Sequence, residues 1–384
     1  MKTPWLVYSA VLVLTFPCAI AAAAASASDS AAPAKAPAYN PFTLPLKTGE
    51  AIELYPEGTP NWKDIGPETV SGTTYTNISN PRMFVHLPPV GTPQNGTAII
   101  FCPGGGYIHV NTGGSIEPIF NPLGVTVFTL IYRCQEFGAP APQQDVIRAI
   151  RLVRAHAAEF GINPNKIGVL GDSAGSHVAA SAGTLFADPV VNTGNDLDKV
   201  NGRPDFMILL FSVLTMEDPN ASANSRKALL GNNPTPEMID HYSVEKQVTA
   251  NTPPAFLVHT QGDTTVKLEN ELQLYAALRK NNVPTELHLY PVGTHGSGLD
   301  ANFGPTAMWP ILCTEWMRFN GWVPPSPTSL MKVQINPNLS GPAASGAAAR
   351  NTAGARGTAG VRGRGARGSD TATPAAASST ATAN

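Results

Sequence analysis

Gly171-Asp172-Ser173-Ala174-Gly175 sets a serine between two glycines. That Gly-x-Ser-x-Gly spacing suits a sharp turn from strand to helix, with the serine hydroxyl standing clear at the corner. Glycines two positions either side avoid side-chain clashes within such a turn. The context agrees: residues 166–170 read as a buried strand, and residues 174–186 as an apolar helix. The positive end of that helix would face negative charge developing at the serine. The chemistry this allows is nucleophilic attack by Ser173, with the Ala174 N–H as one donor to an oxyanion.

A second donor set is expected from Pro103-Gly104-Gly105-Gly106-Tyr107, which follows the apolar run 98–102. A glycine run at the end of a central strand lets backbone N–H groups point into a site. Gly105 and Gly106 are the assigned donors. A phosphate cradle would need a Lys-Ser or Lys-Thr after the glycines, and none follows.

Attack by a serine needs a base. Five histidines follow Ser173: His177, His241, His259, His288 and His295. His177 falls in the helix after the serine, His259 ends a strand, and His288 alternates within one. His295 lies in Gly293-Thr294-His295-Gly296, a glycine-flanked loop after the last strand, where an imidazole can reach a strand's carboxyl end. His86, His109 and His156 precede the serine, outside the chain order serine, acid, histidine. The acid is expected from Asp263, in the loop after the run 255–259, where it would hold the tautomer of His295 and stabilise its imidazolium. Asp240 and Glu245 are its rivals.

These residues need a frame that brings strand ends together. Residues 98–102, 125–132, 166–170, 206–211, 255–259 and 285–290 read as strands. Residues 143–160, 174–186, 266–280 and 306–319 read as helices, and Val146, Ile150, Val153 and Ala157 form one apolar face. Arg148, Arg151 and Arg154 fall beside that face and suit solvent or salt bridges. Residues 83–87 are expected as an edge strand. Strands alternating with helices imply an α/β fold with a mostly parallel sheet covered on both faces, with its functional loops at the strands' carboxyl ends.

The formal net charge of -2 suggests neither a nucleic-acid partner nor a strongly charged substrate. Lys2, the apolar run 5–20 and the small residues 21–25 read as a signal peptide over residues 1–25. The run is short for a membrane span and is interrupted by Pro17, so no stable membrane insertion is expected after its removal. Residues 26–45 read as a flexible linker, residues 46–325 as the catalytic domain, and residues 338–384 as a disordered Ala/Gly/Arg-rich tail. Cys102, Cys134 and Cys313 remain once Cys18 is removed. They allow at most one disulfide, read better as buried apolar residues, and show no metal-ligand spacing. A secreted or periplasmic location follows from the signal.

The chain resembles the α/β-hydrolase esterases of the acetyl xylan esterase and feruloyl esterase-like group, near the hormone-sensitive-lipase-type enzymes. The resemblance covers about residues 50–322. It rests on residues 102–107, Asp145 with Arg148, the run 171–175, Gly262-Asp263 with Val266, and residues 293–296. Pro103 stands where the lipase-type branch usually has histidine, which favours the branch acting on carbohydrate esters. The resemblance implies an α/β-hydrolase fold and removal of acetyl groups from oligosaccharides or polysaccharides, with no cofactor and no metal. A serine peptidase of the same fold and a non-catalytic glycan- or protein-binding relative remain open alternatives. The acyl group, the alcohol and the oligomeric state are not fixed by the sequence.

Overall fold

The computed structural model describes residues 46–297 and 304–325. The expected signal, linker and tail lie outside them. In chain order the strands are β1 (Ala51–Glu53), β2 (Thr69–Ser71), β3 (Thr74–Thr76), β4 (Arg82–His86), β5 (Ala98–Cys102), β6 (Val110–Asn111), β7 (Thr126–Ile131), β8 (Ile167–Asp172), β9 (Met207–Leu210), β10 (Ala255–Thr260) and β11 (Thr285–Tyr290). The helices are α1 (Glu117–Phe120), α2 (Ala141–Ala155), α3 (Ala174–Thr184), α4 (Ala223–Leu230), α5 (Pro236–Tyr242), α6 (Glu269–Lys280) and α7 (Trp309–Phe319).

Eight strands form the main sheet in the order β1-β4-β7-β5-β8-β9-β10-β11. The β1–β4 and β4–β7 pairs are antiparallel, and every later pair is parallel. This is the α/β-hydrolase fold. Strands β2, β3 and β6 make a small separate sheet.

Every residue of β5, β7, β9 and β10 is buried. That follows from helices covering both faces, which makes alternation with polar residues unnecessary. Ile100, Val169, Leu209 and Leu257 pack with Val146, Val178 and Leu274 from α2, α3 and α6. Ile99, Phe101, Leu170 and Phe256 pack on the other face with Phe120, Trp309 and Trp316 from α1 and α7.

Four expectations are corrected. Residues 82–86 do not form an edge strand: β4 has β7 on one side and β1 on the other. The helix expected over residues 143–160 runs from Ala141 to Ala155. Ala157 and Phe160 are buried in turns beyond it, so the apolar pattern tracked burial past the helix end. The helix expected from Val266 begins at Glu269, because Thr265 and Val266 belong to a turn whose N–H groups donate to Asp263 Oδ1 (2.8 and 2.9 Å). The last helix begins at Trp309 after a 3-10 turn at Gly304–Met308.

The three arginines of α2 are mostly covered. They form ion pairs, Arg148 with Glu57, Arg151 with Asp198 and Arg154 with Asp205. Cys102, Cys134 and Cys313 are buried free thiols. No helix among the described residues is long and apolar enough to cross a membrane.

Candidate active site

The parallel strands β5, β8, β10 and β11 end at one rim of the sheet. Four loops follow them there, carrying the glycine run, Ser173, Asp263 and His295 in that order. The strand order explains how residues so distant in sequence meet.

The β8–α3 corner is tight. Ser173 has φ 54° and ψ −125°, a sparsely populated conformation for a residue with a side chain. A Cβ at Gly171 would lie 2.3 Å from the Gly175 carbonyl oxygen, and one at Gly175 would lie 2.0 Å from that of Cys102. Only hydrogen fits at these two positions. The corner is pinned from several sides: Ser173 N–H donates to the Leu210 carbonyl (3.0 Å), Val213 N–H to the Ser173 carbonyl (3.1 Å), and Ser176 Oγ to the Gly171 carbonyl (2.7 Å).

At that corner Ser173 Oγ lies 2.8 Å from His295 Nε2. His295 Nδ1 lies 2.7 Å from Asp263 Oδ2. The Phe211 ring stands edge-on to His295, with centroids 5.1 Å apart, and fixes its plane. Asp263 is fully buried at its side chain, whereas His295 is partly open to the cleft. Burial opposes charge on Asp263, yet hydrogen bonds from His295 and from the N–H groups of Val266 and Thr265 hold its carboxyl below the usual range.

The glycine loop faces Ser173 across a cleft of about 710 Å³ lined by Gly104, Gly105, Gly106, Ser173 and His295 among others. Gly104 N–H donates to Asp172 Oδ1 (3.0 Å), so that donor is occupied. Burial pushes the Asp172 carboxyl up to about 7, against the opposing pull of Gly104 N–H and His295.

Of the other candidates, none joins this constellation directly. His177 is buried in α3, with Nδ1 2.6 Å from the Tyr107 hydroxyl and Nε2 2.7 Å from the Tyr242 carbonyl. It therefore ties the glycine loop to α3. Burial takes it down to about 4, so it stays neutral. His241 faces Asp188 and His288 faces Glu286. Asp240 pairs with Lys246. Glu245 is in a 3-10 turn after that helix. Four residues beside the site were given no role in it by the sequence: Asp172, Tyr107, His177 and His259, the last behind Asp263. For Asp172 the available signal was a carboxylate inside the serine turn, directly after Gly171, a glycine that admits no side chain.

Among the described residues, no group of three or more His, Cys, Asp or Glu is arranged to hold a metal ion.

Comparison with known proteins adds the following. The BD-FAE family model matches residues 83–278, more than half of the chain. Endo-1,4-beta-xylanase B of Butyrivibrio fibrisolvens is 34% identical over 224 residues, 56% of this chain and 34% of that protein. The acetylxylan esterase of Xylanibacter ruminicola is 31% identical over 220 residues, 55% of this chain and 43% of that protein. The chain thus spans less than half the length of either relative. Among solved structures, an acetyl ester-xyloside bifunctional hydrolase from Caldicellulosiruptor lactoaceticus is 34% identical with a TM-score of 0.66, covering 73% of this chain and all of that one. A thermophilic esterase from Thermogutta terrifontis, with butyrate bound, shares the fold at 22% identity and a TM-score of 0.55, over 68% of this chain and 96% of that one.

Proposed function

The chain belongs to the BD-FAE family, and on that premise we propose that it is a secreted serine esterase removing acyl groups, acetyl above all, from carbohydrate esters of the xylan type. The observation that carries the reading is the unbroken line from Ser173 Oγ through His295 to Asp263, with contacts of 2.8 and 2.7 Å.

In this reading Ser173 Oγ attacks the ester carbonyl carbon while His295 Nε2 takes its proton. Negative charge gathers on the carbonyl oxygen, which receives hydrogen bonds from the N–H groups of Ala174, Gly105 and Gly106. Gly104 is not counted, because its N–H is held by Asp172. Each donor contributes roughly 3 kcal/mol at the transition state. The C–O bond to the alcohol breaks as His295 returns the proton to the leaving oxygen. Water then attacks the acyl-serine, His295 takes its proton, and the free acid leaves with Ser173 restored. Asp263 holds the Nδ1 proton toward itself and stabilises the imidazolium. No metal or cofactor has a part in this sequence.

Ser173→Ala on p-nitrophenyl acetate is the direct test. A loss of kcat by a factor of about 10⁴ or more is expected, and turnover at the wild-type rate would remove Ser173 from its role. The carbohydrate part of the proposal is supported by relatives that are a xylanase and an acetylxylan esterase and by the open cleft of about 710 Å³ beside Ser173. It is checked by measuring acetate release from acetylated xylan beside feruloyl and short-chain acyl esters. The export part rests on the signal pattern at residues 1–25, and the N-terminal residue of the protein recovered outside the cytoplasm reports whether that segment is cleaved. Residues 46–325 are assigned as the catalytic domain.

A further inference from the structure

His259 ends the buried face of β10, and its side chain is fully shielded from solvent. Its Nδ1 lies 2.7 Å from Glu271 Oε2, and its Nε2 lies 3.1 Å from the Val266 carbonyl oxygen. The same Nε2 lies 3.5 Å from Asp263 Oδ2, the oxygen that His295 Nδ1 approaches at 2.7 Å. Glu271, from α6, is equally buried, and its other oxygen accepts from Ser212 N–H at 2.6 Å.

The partners of the two ring nitrogens decide the proton count. A neutral imidazole has one donor and one acceptor nitrogen. His177 meets that demand, with a hydroxyl at one nitrogen and a carbonyl at the other. His259 does not: both of its nitrogens face oxygen atoms of a carboxylate or a carbonyl. Both must carry hydrogen for both contacts to be hydrogen bonds. A cation buried here is matched by Glu271 on one side and Asp263 on the other, the arrangement that makes buried charge tolerable. Burial disfavours the charged ring, but the Glu271 hydrogen bond and charge outweigh it and hold His259 above the usual histidine range.

We propose that His259 is a standing imidazolium that, paired with Glu271, positions Asp263 and moderates the pull of its Oδ2 on His295. The role rests on the Ser173-His295-Asp263 reading, but its first test does not. His259 touches no substrate and is a positioning residue. It acts in two ways. Through the Val266 carbonyl it fixes the turn whose N–H groups hold Asp263 Oδ1. Through its charge it offsets part of the negative potential that Glu271 and Asp263 place behind His295. The charged groups facing it are Glu271 from α6 and Asp263 from the β10 loop, with His295 beyond Asp263.

The wild-type enzyme, labelled with ¹⁵N at histidine, gives the first test by two-bond ¹H–¹⁵N correlation. His259 is expected to show two protonated ring nitrogens at neutral pH. A neutral ring protonated at Nε2 alone, with the proton moved to Glu271, overturns the proposal whatever the enzyme hydrolyses. The second test is kinetic, on p-nitrophenyl acetate. His259→Gln leaves the Glu271 carboxylate without its cation, and the added negative potential favours the imidazolium of His295. The acid limb of kcat/KM should move to higher pH by about half a unit or more, with kcat near neutrality reduced about tenfold and KM unchanged. Glu271→Gln removes negative charge from the same place, so the limb should stay or move to lower pH. A purely structural pair would lower the melting temperature of both variants and leave the limb where it is, and that result, or a shift to higher pH in Glu271→Gln, counts against the proposal.

Discussion

Asp172 shows how one residue in the serine turn links the site to pH. Its carboxyl, raised to about 7 by burial, sits beside Gly104 N–H at the base of the glycine loop. A carboxyl whose folded value lies above its unfolded value of about 3.8 binds more protons in the native state. Its contribution to stability is therefore complete below the unfolded value and is lost as pH rises through the folded one. Asp172→Asn cannot ionise, and its side-chain oxygen can still accept from Gly104. The melting temperature of the variant relative to wild type is expected to climb from about pH 4 to about pH 7 and level off above that. A difference that stays flat across that window in thermal melts would mean that Asp172 is ionised throughout.

At the scale of elements, the corner between β8 and α3 is held by two positions where a methyl group has nowhere to go. Gly175→Ala would press a Cβ against the Cys102 carbonyl oxygen, and backbone on both sides cannot swing aside as a side chain would. The corner should open, lengthening the Ser173–His295 contact. A fall in kcat of about a hundredfold is expected, with a loss of stability of about 1–3 kcal/mol from overpacking. Denaturant unfolding and steady-state kinetics on the same preparation check both, and a variant with wild-type kcat would show that the corner can relax. The sequence made this element legible because strand, turn and helix each left a local signature: an apolar run, paired glycines, and small residues at helical spacing. The same holds for the glycine run and Asp263, each of which follows an apolar run that is a strand, and for His295, which follows the alternating strand Thr285–Tyr290. What escaped was set by partners far along the chain. Strand β1 has three residues, too few to show a period, so β4 read as an edge. Arg148, Arg151 and Arg154 read as suited to solvent or salt bridges; they form salt bridges, but the partners Glu57, Asp198 and Asp205 belong to segments outside the helix and were not legible beside them. His259 read as a strand end, since nothing local announces that Glu271 closes on it from α6.

At the scale of the whole molecule, the cleft beside Ser173 and the glycine loop has a neighbour. A second cleft of about 590 Å³ shares Ile108 and Asn224 with it and continues along Phe137, Lys227 and Asn232. Its walls mix amide and ammonium donors with apolar side chains, a lining suited to the hydroxyls and flat faces of sugar rings. On the proposed function, the alcohol half of the ester extends away from Ser173, and a glycan bearing the acetyl group is long enough to lie across both clefts, whereas p-nitrophenyl acetate is small enough for the first alone. Asn232 is exposed, and replacing it with a large side chain obstructs the second cleft without touching Ser173, His295 or the glycine loop. Asn232→Trp is therefore expected to lower kcat/KM on acetylated xylo-oligosaccharides by about tenfold and to leave turnover of p-nitrophenyl acetate unchanged. If long and short substrates are affected alike, or neither is, the chain of the substrate does not run through the second cleft. A result confined to the oligosaccharide would assign the two clefts different halves of one substrate.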